Sequence, residues 1–187
     1  LNPKFPYPTG YKIHKNIVGG NGEFRSAIVE AGNKIYELDY SAAELDTNQA
    51  ASVFVCLMAW SVAAQTHARA YLSKIDSLAS RTIDEFFQKC LQPDSGLVVA
   101  DAPLPGSIAV YLGPGQSGGC GLVVDCTGSK RIRTLSAKVY AADIKQKSIK
   151  MCWRWRKPED HPKVILKPAG YVMPPAPPNE YGELSGV

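Results

Sequence analysis

Among the five cysteines of this chain (Cys56, Cys90, Cys120, Cys126 and Cys152) there is no Cys-x-x-Cys pair, and only three histidines accompany them. That scarcity argues against a zinc ribbon and against a thioredoxin-like redox motif, since both need closely spaced thiols. No two candidate ligands stand at a known metal-binding spacing, so no metal and no cofactor is expected. Long apolar runs are also missing. The longest uncharged, mostly apolar stretch is the fifteen residues 50–64, short of the roughly twenty that span a bilayer, and it reads as a buried core helix rather than a membrane span. The Pro-rich polar opening from Leu1 reads as no signal peptide or anchor. Charge of one sign does not dominate either, with 21 Lys and Arg against 17 Asp and Glu. With 45% apolar and 20% charged residues, wholesale disorder is excluded and a single globular domain of 187 residues is expected.

The odd, scattered cysteines fit a reducing compartment, or a virion or secreted effector made without a signal. Cys120 and Cys126 are near enough in sequence to bridge a short loop. The modest net charge of +4 is unevenly spread. Residues 129–167 hold twelve Lys and Arg against three acids, while the remainder is net acidic, which sets a local positive field on an acidic body.

Three regions are expected: residues 1–45 as an N-terminal extension, 46–167 as the core, and 168–187 as a Pro-rich tail. Within the extension, β-type runs at Phe24–Val29 and Lys34–Leu38, joined by Ala-Gly-Asn, predict a hairpin. Asp46 or Thr47 offers an N-cap oxygen to the helix that follows. Along that helix Ala50, Val53, Phe54, Leu57, Trp60 and Ala64 form a core-facing stripe. His67–Ser73 ends it or begins another. A second helix is predicted over Ser80–Cys90, with Ile83, Phe86, Phe87 and Leu91 on one side and Pro93 and Gly96 as the stop.

Beyond Pro103 the texture becomes β, with strands predicted at Ile108–Leu112, Gly121–Cys126, Arg131–Leu135 and Ile149–Arg156, and a short edge strand at Val164–Leu166. In the Ile149–Arg156 strand, Ile149, Met151, Trp153 and Trp155 share one face, while Lys150, Cys152, Arg154 and Arg156 share the other. From Pro168 on, the prolines predict an extended, polyproline-like tail. Helices first and an antiparallel sheet second define an α+β fold, with N-terminal helices packed on one sheet face.

Several segments, in order, carry a family resemblance. Ala51-Ser52-Val53-Phe54-Val55, running on to Trp60, resembles a nucleophile helix that reads Cys-Ala-Ala-Phe-Val. Ala68-Arg69-Ala70-Tyr71-Leu72 resembles the Ala-Arg-x-Trp/Tyr-Leu segment that follows such a helix. Leu104-Pro105-Gly106-Ser107-Ile108-Ala109-Val110-Tyr111 is similar to a Pro-Gly-Asp-Ile-Val-Val-Phe strand. Gly118-Gly119-Cys120-Gly121-Leu122-Val123-Val124 is similar to Gly-His-Val-Gly-Ile-Val, and Arg131-Ile132-Arg133-Thr134-Leu135 to the strand beyond it. Over about residues 50–157 the chain thus resembles the CHAP-type amidases and peptidases, the papain-like cell-wall hydrolases of bacteria and phages.

That resemblance implies a papain-like fold. It also implies a chemistry made of a Cys thiolate at a helix N-terminus, where the dipole favours the anion, a His on the facing sheet, and a polar group orienting the ring. This chain departs from the pattern. The nucleophile position falls on Ala51 in the Phe54-Val55 register, or on Ala50 counted from Gln49. The histidine position falls on Gly119 or Cys120, and Ser107 stands in place of the Asp of the turn. The resemblance therefore implies a non-catalytic binding or structural module, whose vestigial groove lies between Ala50/Ala51 and Gly119/Cys120 and whose partner is peptidoglycan or a protein. One alternative is a peptidoglycan amidase or endopeptidase whose Cys was replaced. Another is a viral or phage structural protein that assembles through its Pro-rich ends.

A rearranged pair also exists in the sequence. Asp125-Cys126-Thr127-Gly128 mimics an Asp-Cys-Ser-Gly nucleophile motif, with His161 thirty-five residues later. Yet Cys126 ends a predicted strand rather than opening an apolar helix, so a half-buried strand-end thiol is the expectation. Cys120 with His67 is a further formal pair that nothing in the sequence brings together, and His14 and His161 read as surface or loop residues. Finally, Lys150, Arg154, Arg156 and Lys157 interleave with Trp153 and Trp155, a pattern that serves nucleic acid or another polyanion when bases stack beside phosphate contacts. Strand alternation instead sends the tryptophans to the core and the bases to solvent.

Overall fold

The computed structural model describes residues 13–14, 22–38, 40–41, 45, 47–113, 118–127, 131–143, 146–156 and 167–175. In chain order these form β1 (Ile13–His14), α1 (Gly22–Tyr36), β2 (Tyr40–Ser41), α2 (Asn48–His67), α3 (Leu72–Ser77), α4 (Ile83–Leu91), β3 (Val99–Ala100), β4 (Ile108–Leu112), β5 (Gly118–Thr127), β6 (Arg131–Asp143), β7 (Gln146–Arg156) and β8 (Lys167–Val172). The strands make one eight-stranded sheet in the order β1-β3-β8-β4-β5-β6-β7-β2. Every pairing is antiparallel except that of β1 with β3. The fold is α+β, with the helices gathered on one face of the sheet.

The long central helix follows from its residues. Thr47 caps α2, its hydroxyl accepting from the Ala50 amide at 3.1 Å. Eleven of its twenty residues are buried, on almost every side, because α2 lies between the sheet and the other helices. By length and composition alone it is apolar enough to cross a membrane, but 61% of its apolar window is buried inside the protein, which marks it as the core helix. Phe54, expected on the core-facing stripe, is instead 38% exposed at the one open sector of the helix. A 3-10 turn at Arg69–Tyr71 leads from α2 into α3. α4 buries Ile83, Phe86, Phe87, Cys90 and Leu91. Thr82 caps its first turn, Oγ1 accepting from Glu85 N at 3.2 Å, and Glu85 Oε2 accepts from the amide of Arg81, the residue before the cap, at 3.4 Å.

Two expectations are overturned. The predicted hairpin within residues 24–38 is the single helix α1, whose buried positions Phe24, Ile28, Ala31, Gly32 and Ile35 recur at helical spacing. The Ala-Gly-Asn that reads as a turn is the point where α1 touches the sheet. A Cβ on Gly32 would sit 2.8 Å from Leu122 Cδ2, so a larger residue would have to push that buried side chain aside. The second correction concerns the tail. Residues 167–172 are not a surface polyproline segment but β8, an inner strand between β3 and β4, and Met173–Pro175 are buried beyond it. Pro168 is tolerated because the β4–β8 register shifts at Val110/Tyr111, where a ladder amide is not needed. Gly170 is required by contact, since a Cβ there would lie 2.6 Å from Val99 Cγ1 and 3.2 Å from Phe87 Cζ. The expected edge strand at Val164–Leu166 lies outside the described residues, as do residues 176–187.

Alternation along the strands divides the interior. Ile108, Val110, Leu112, Cys120, Leu122, Leu135 and Ile149 join the main core under the helices. Ala109, Tyr111, Val123, Ile132 and Tyr171 form a separate cluster on the opposite sheet face. The turn entering β4 is held from the helix side. Trp60 Nε1 donates to Gly106 O at 2.9 Å and Arg25 Nη1 to Pro105 O at 3.3 Å. Gly106 takes φ +92°, a conformation open to glycine, and the Ser107 hydroxyl closes the turn by donating to Leu104 O at 2.6 Å.

Candidate functional site

The first turns of α2 meet the sheet where β5 and β6 part. The paired residues of β5 and β6 run from Thr127↔Arg131 to Leu122↔Leu135. Continued, that register would set Ala137 opposite Cys120, but there Ser52 intervenes. Its buried hydroxyl donates to Ala137 O at 3.1 Å and accepts from Ala137 N at 3.2 Å. Asn48 Oδ1 accepts from Val139 N at 2.8 Å on the same strand. Gln49 turns the other way, its Oε1 accepting from Ile83 N at 2.9 Å at the first turn of α4. Asn48, Gln49 and Ser52 at the head of α2 thus each satisfy a backbone group of a neighbouring element. Between them Ala50 and Ala51 offer only methyl groups, both buried.

The two candidate histidine positions separate cleanly. Cys120 belongs to the core under the helices, so its side chain is on the α2 side, whereas neighbouring Gly119 falls on the other face by strand alternation. Cys120 lies beside Cys56, in the third turn of α2. Burial, followed by contact with Cys120, pushes the Cys56 thiol well above its ordinary pKa. In Cys90 of α4, burial first and Cys120 second push the thiol up as well. Three thiols from α2, α4 and β5 therefore converge in the core, all free and all buried. Raised pKa values are the opposite of what a nucleophilic thiolate needs. Among the described residues no group of three His, Cys, Asp or Glu is placed to hold a metal ion.

The other sequence candidates fall elsewhere. His67 ends α2, sixteen residues or roughly 24 Å along the helix from Ala51, and its Nδ1 lies 3.6 Å from Glu23 Oε1. It is not brought to Cys120. Cys126 lies near the far end of β5, its pKa raised to about 11, by burial first and by the Asp125 carboxylate second, with Arg25 opposing. Cys120 and Cys126 cannot bridge, because six residues of extended strand hold them roughly 20 Å apart. His161 lies outside the described residues, as does Lys157. Along β7, Ile149 is buried, Met151 and Trp153 pack on the main core, and Lys150 is exposed. Arg154 and Arg156 occupy β7 opposite Thr134 and Ile132. On the tryptophan face, the Arg133 guanidinium stacks 4.2 Å from the Trp153 ring centre and Tyr36 packs 4.8 Å from it.

One feature of this region has no motif in the sequence. On the outer side of the α2 head lies a groove of about 460 Å³. Ala50, Val53, Phe54, Leu57 and Met58 of α2 form its apolar wall together with Leu45, and Asp76, Ala79 and Ser80 from the end of α3 and beyond form the facing rim. That volume is in the range of small-molecule sites. Its α2 wall is readable only as apolar spacing, and its α3 wall gives no signal until the two helices are seen side by side.

Fold and site together define an α+β domain with a closed, thiol-lined helix–sheet junction and an open apolar groove next to it. Compared with protein-family models, curated proteins and solved structures, the chain matches none.

Proposed function

We propose that this chain is a non-catalytic binding module on a degenerate papain-like, CHAP-like scaffold, with the groove beside Ala50 as its ligand site. The observation that carries the reading is the head of α2. Papain-like hydrolysis needs a thiolate at the helix N-terminus and an imidazole across from it. Here methyl groups of Ala50 and Ala51 occupy the first position. Further along the helix, the strand residue turned toward α2 is Cys120, which lies beside Cys56. The order of the elements supports the same scaffold: an apolar helix opening at Thr47, a Pro-Gly turn entering β4, and then the strand of Gly118–Thr127 packed against that helix. The ligand class that the resemblance implies is peptidoglycan or a protein.

The test is co-sedimentation of the purified chain with peptidoglycan sacculi, followed by an assay for newly released amino groups. The expected result is retention in the pellet with no amine release above buffer. Release of amines by the unaltered chain would overturn the non-catalytic reading, and failure to pellet at low salt would remove peptidoglycan as the partner.

A further inference from the structure

We infer that the groove beside the head of α2 accepts a ligand with an apolar body and one cationic amino group, held by the Asp76 carboxylate. This rests on the proposed reading of the groove as a binding site and names the chemistry that would fill it.

Three features of the lining carry the inference. First, the floor is apolar: Val53 and Leu57 are buried beneath the groove, while Phe54 stands at its edge 38% exposed, an aromatic face on which a flat or branched apolar group can rest. Second, the lining holds one charged side chain, Asp76. No ion pair or hydrogen bond engages that carboxylate among the described residues; the nearby Lys74 ammonium is directed instead over the Tyr71 ring, 5.7 Å from its centre. Third, of the two hydroxyls in the lining, Ser80 donates to Leu78 O at 2.8 Å, which leaves Ser61 as the one able to orient a polar group of a ligand. A carboxylate at the rim of an apolar groove repels carboxylates and phosphates and attracts ammonium groups, more strongly as a bound ligand excludes water. Free fatty acids and anionic headgroups are therefore disfavoured. An apolar amine, or a peptide that presents an amino group beside an apolar side chain, has the complementary shape and sign.

The probes are 4-phenylbutylamine and its uncharged counterpart 4-phenylbutan-1-ol, titrated into the full chain and followed by amide chemical shifts. The amine is expected to bind three- to tenfold more tightly than the alcohol, with shifts centred on Val53, Phe54, Met58, Asp76 and Ala79. Asp76→Asn should remove that preference and leave the alcohol within twofold. Raising NaCl from 20 to 300 mM should weaken the amine and spare the alcohol. Ala79→Trp, or independently Ser61→Trp, should abolish both by filling the groove from one wall or the other, with retained amide dispersion showing that the fold survives. Equal binding of amine and alcohol would overturn the ligand class while leaving the groove a binding site. Absence of groove shifts with either probe would overturn the groove itself, and retention on sacculi would then place the binding surface elsewhere.

Discussion

Replacing Ser52 with alanine removes one hydroxyl and unpairs two backbone groups at once. The Ala137 N–H and C=O lie where β6 has parted from β5, and both bind Ser52 Oγ, at 3.2 and 3.1 Å. Each buried backbone group left without a partner costs about 1–3 kcal/mol. Some relaxation of β6 toward β5 recovers part of that, so S52A should destabilise the fold by about 2–4 kcal/mol. For a domain of this size such a loss lowers Tm by roughly 5–15 °C. Ser136, the residue before Ala137, supplies the control. It is also buried, but its hydroxyl has no hydrogen-bond partner. S136A should therefore be neutral or stabilising by up to about 1 kcal/mol. Urea titrations read by tryptophan fluorescence measure both, provided the m-values agree. If S52A lies within about 0.5 kcal/mol of the parent, or if the two variants behave alike, the account of α2 as the element that seals the opening between β5 and β6 is wrong.

Alkaline pH should weaken the fold through its buried thiols. The Cys56 and Cys90 pKa values are raised in the folded chain, so the unfolded chain loses these protons first and stability falls as pH rises past about 8.5. By pH 10 the two thiols together should cost about 3–4 kcal/mol relative to pH 7. Urea midpoints across pH 7–10 report this, and a flat profile would contradict it; C90A should reduce the slope, to which Cys56 and the raised Cys126 thiol still contribute. The basic strand offers a separate test. With Lys150 exposed on the face opposite Trp153, a 30-nucleotide single strand should be retarded on a gel at 20 mM salt and released by 300 mM, and K150E should weaken it. No retardation at 20 mM would reduce these bases to a solvated face.

Local periodicity explains which parts of the fold the sequence disclosed. β4 is found at Ile108–Leu112, as predicted, and α4 buries the four residues of its expected stripe together with Cys90. In both, spacing and stop signals agree with the tertiary outcome. α1 and β8 escape the sequence because their glycines and proline resemble turn and tail signals. At Gly32 and Gly170 the glycine instead answers a contact made by a residue far along the chain, Leu122 in one case and Val99 in the other. No local rule sees such a contact. The site divides the same way. Ala50 and Ala51 at the helix head were legible from the register of the apolar run. The meeting of Cys56, Cys90 and Cys120 was not, because three elements bring it about. Nor was the groove, whose two walls are α2 and the end of α3.

The sequence left open whether Ala50 or Ala51 stands at the nucleophile position, and the structure makes the two chemically distinct. Ala51 belongs to the core cluster under the sheet, whereas Ala50 lines the groove. A thiol placed at 51 would enter a packed interior, where burial raises its pKa and blocks access, whatever the helix dipole contributes. A thiol placed at 50, where the present methyl is 2% exposed, would border the groove in the same first turn, where the dipole favours the thiolate and reagent reaches it through the groove. Iodoacetamide labelling of A50C and A51C at pH 8, corrected for the parent chain, should therefore run at least tenfold faster for A50C. Equal or reversed rates would mean that the groove does not reach the head of α2, and the ligand site would lose its link to the position from which papain-like catalysis would have operated. A large ratio would still not make A50C an enzyme. A sheet residue facing α2 is Cys120, buried beside Cys56. An imidazole introduced there must displace that thiol pair from a packed core, at a cost of about 1–3 kcal/mol. On the proposed papain-like reading, hydrolysis would lack both its nucleophile at the head of α2 and room for a base at the buried Cys120.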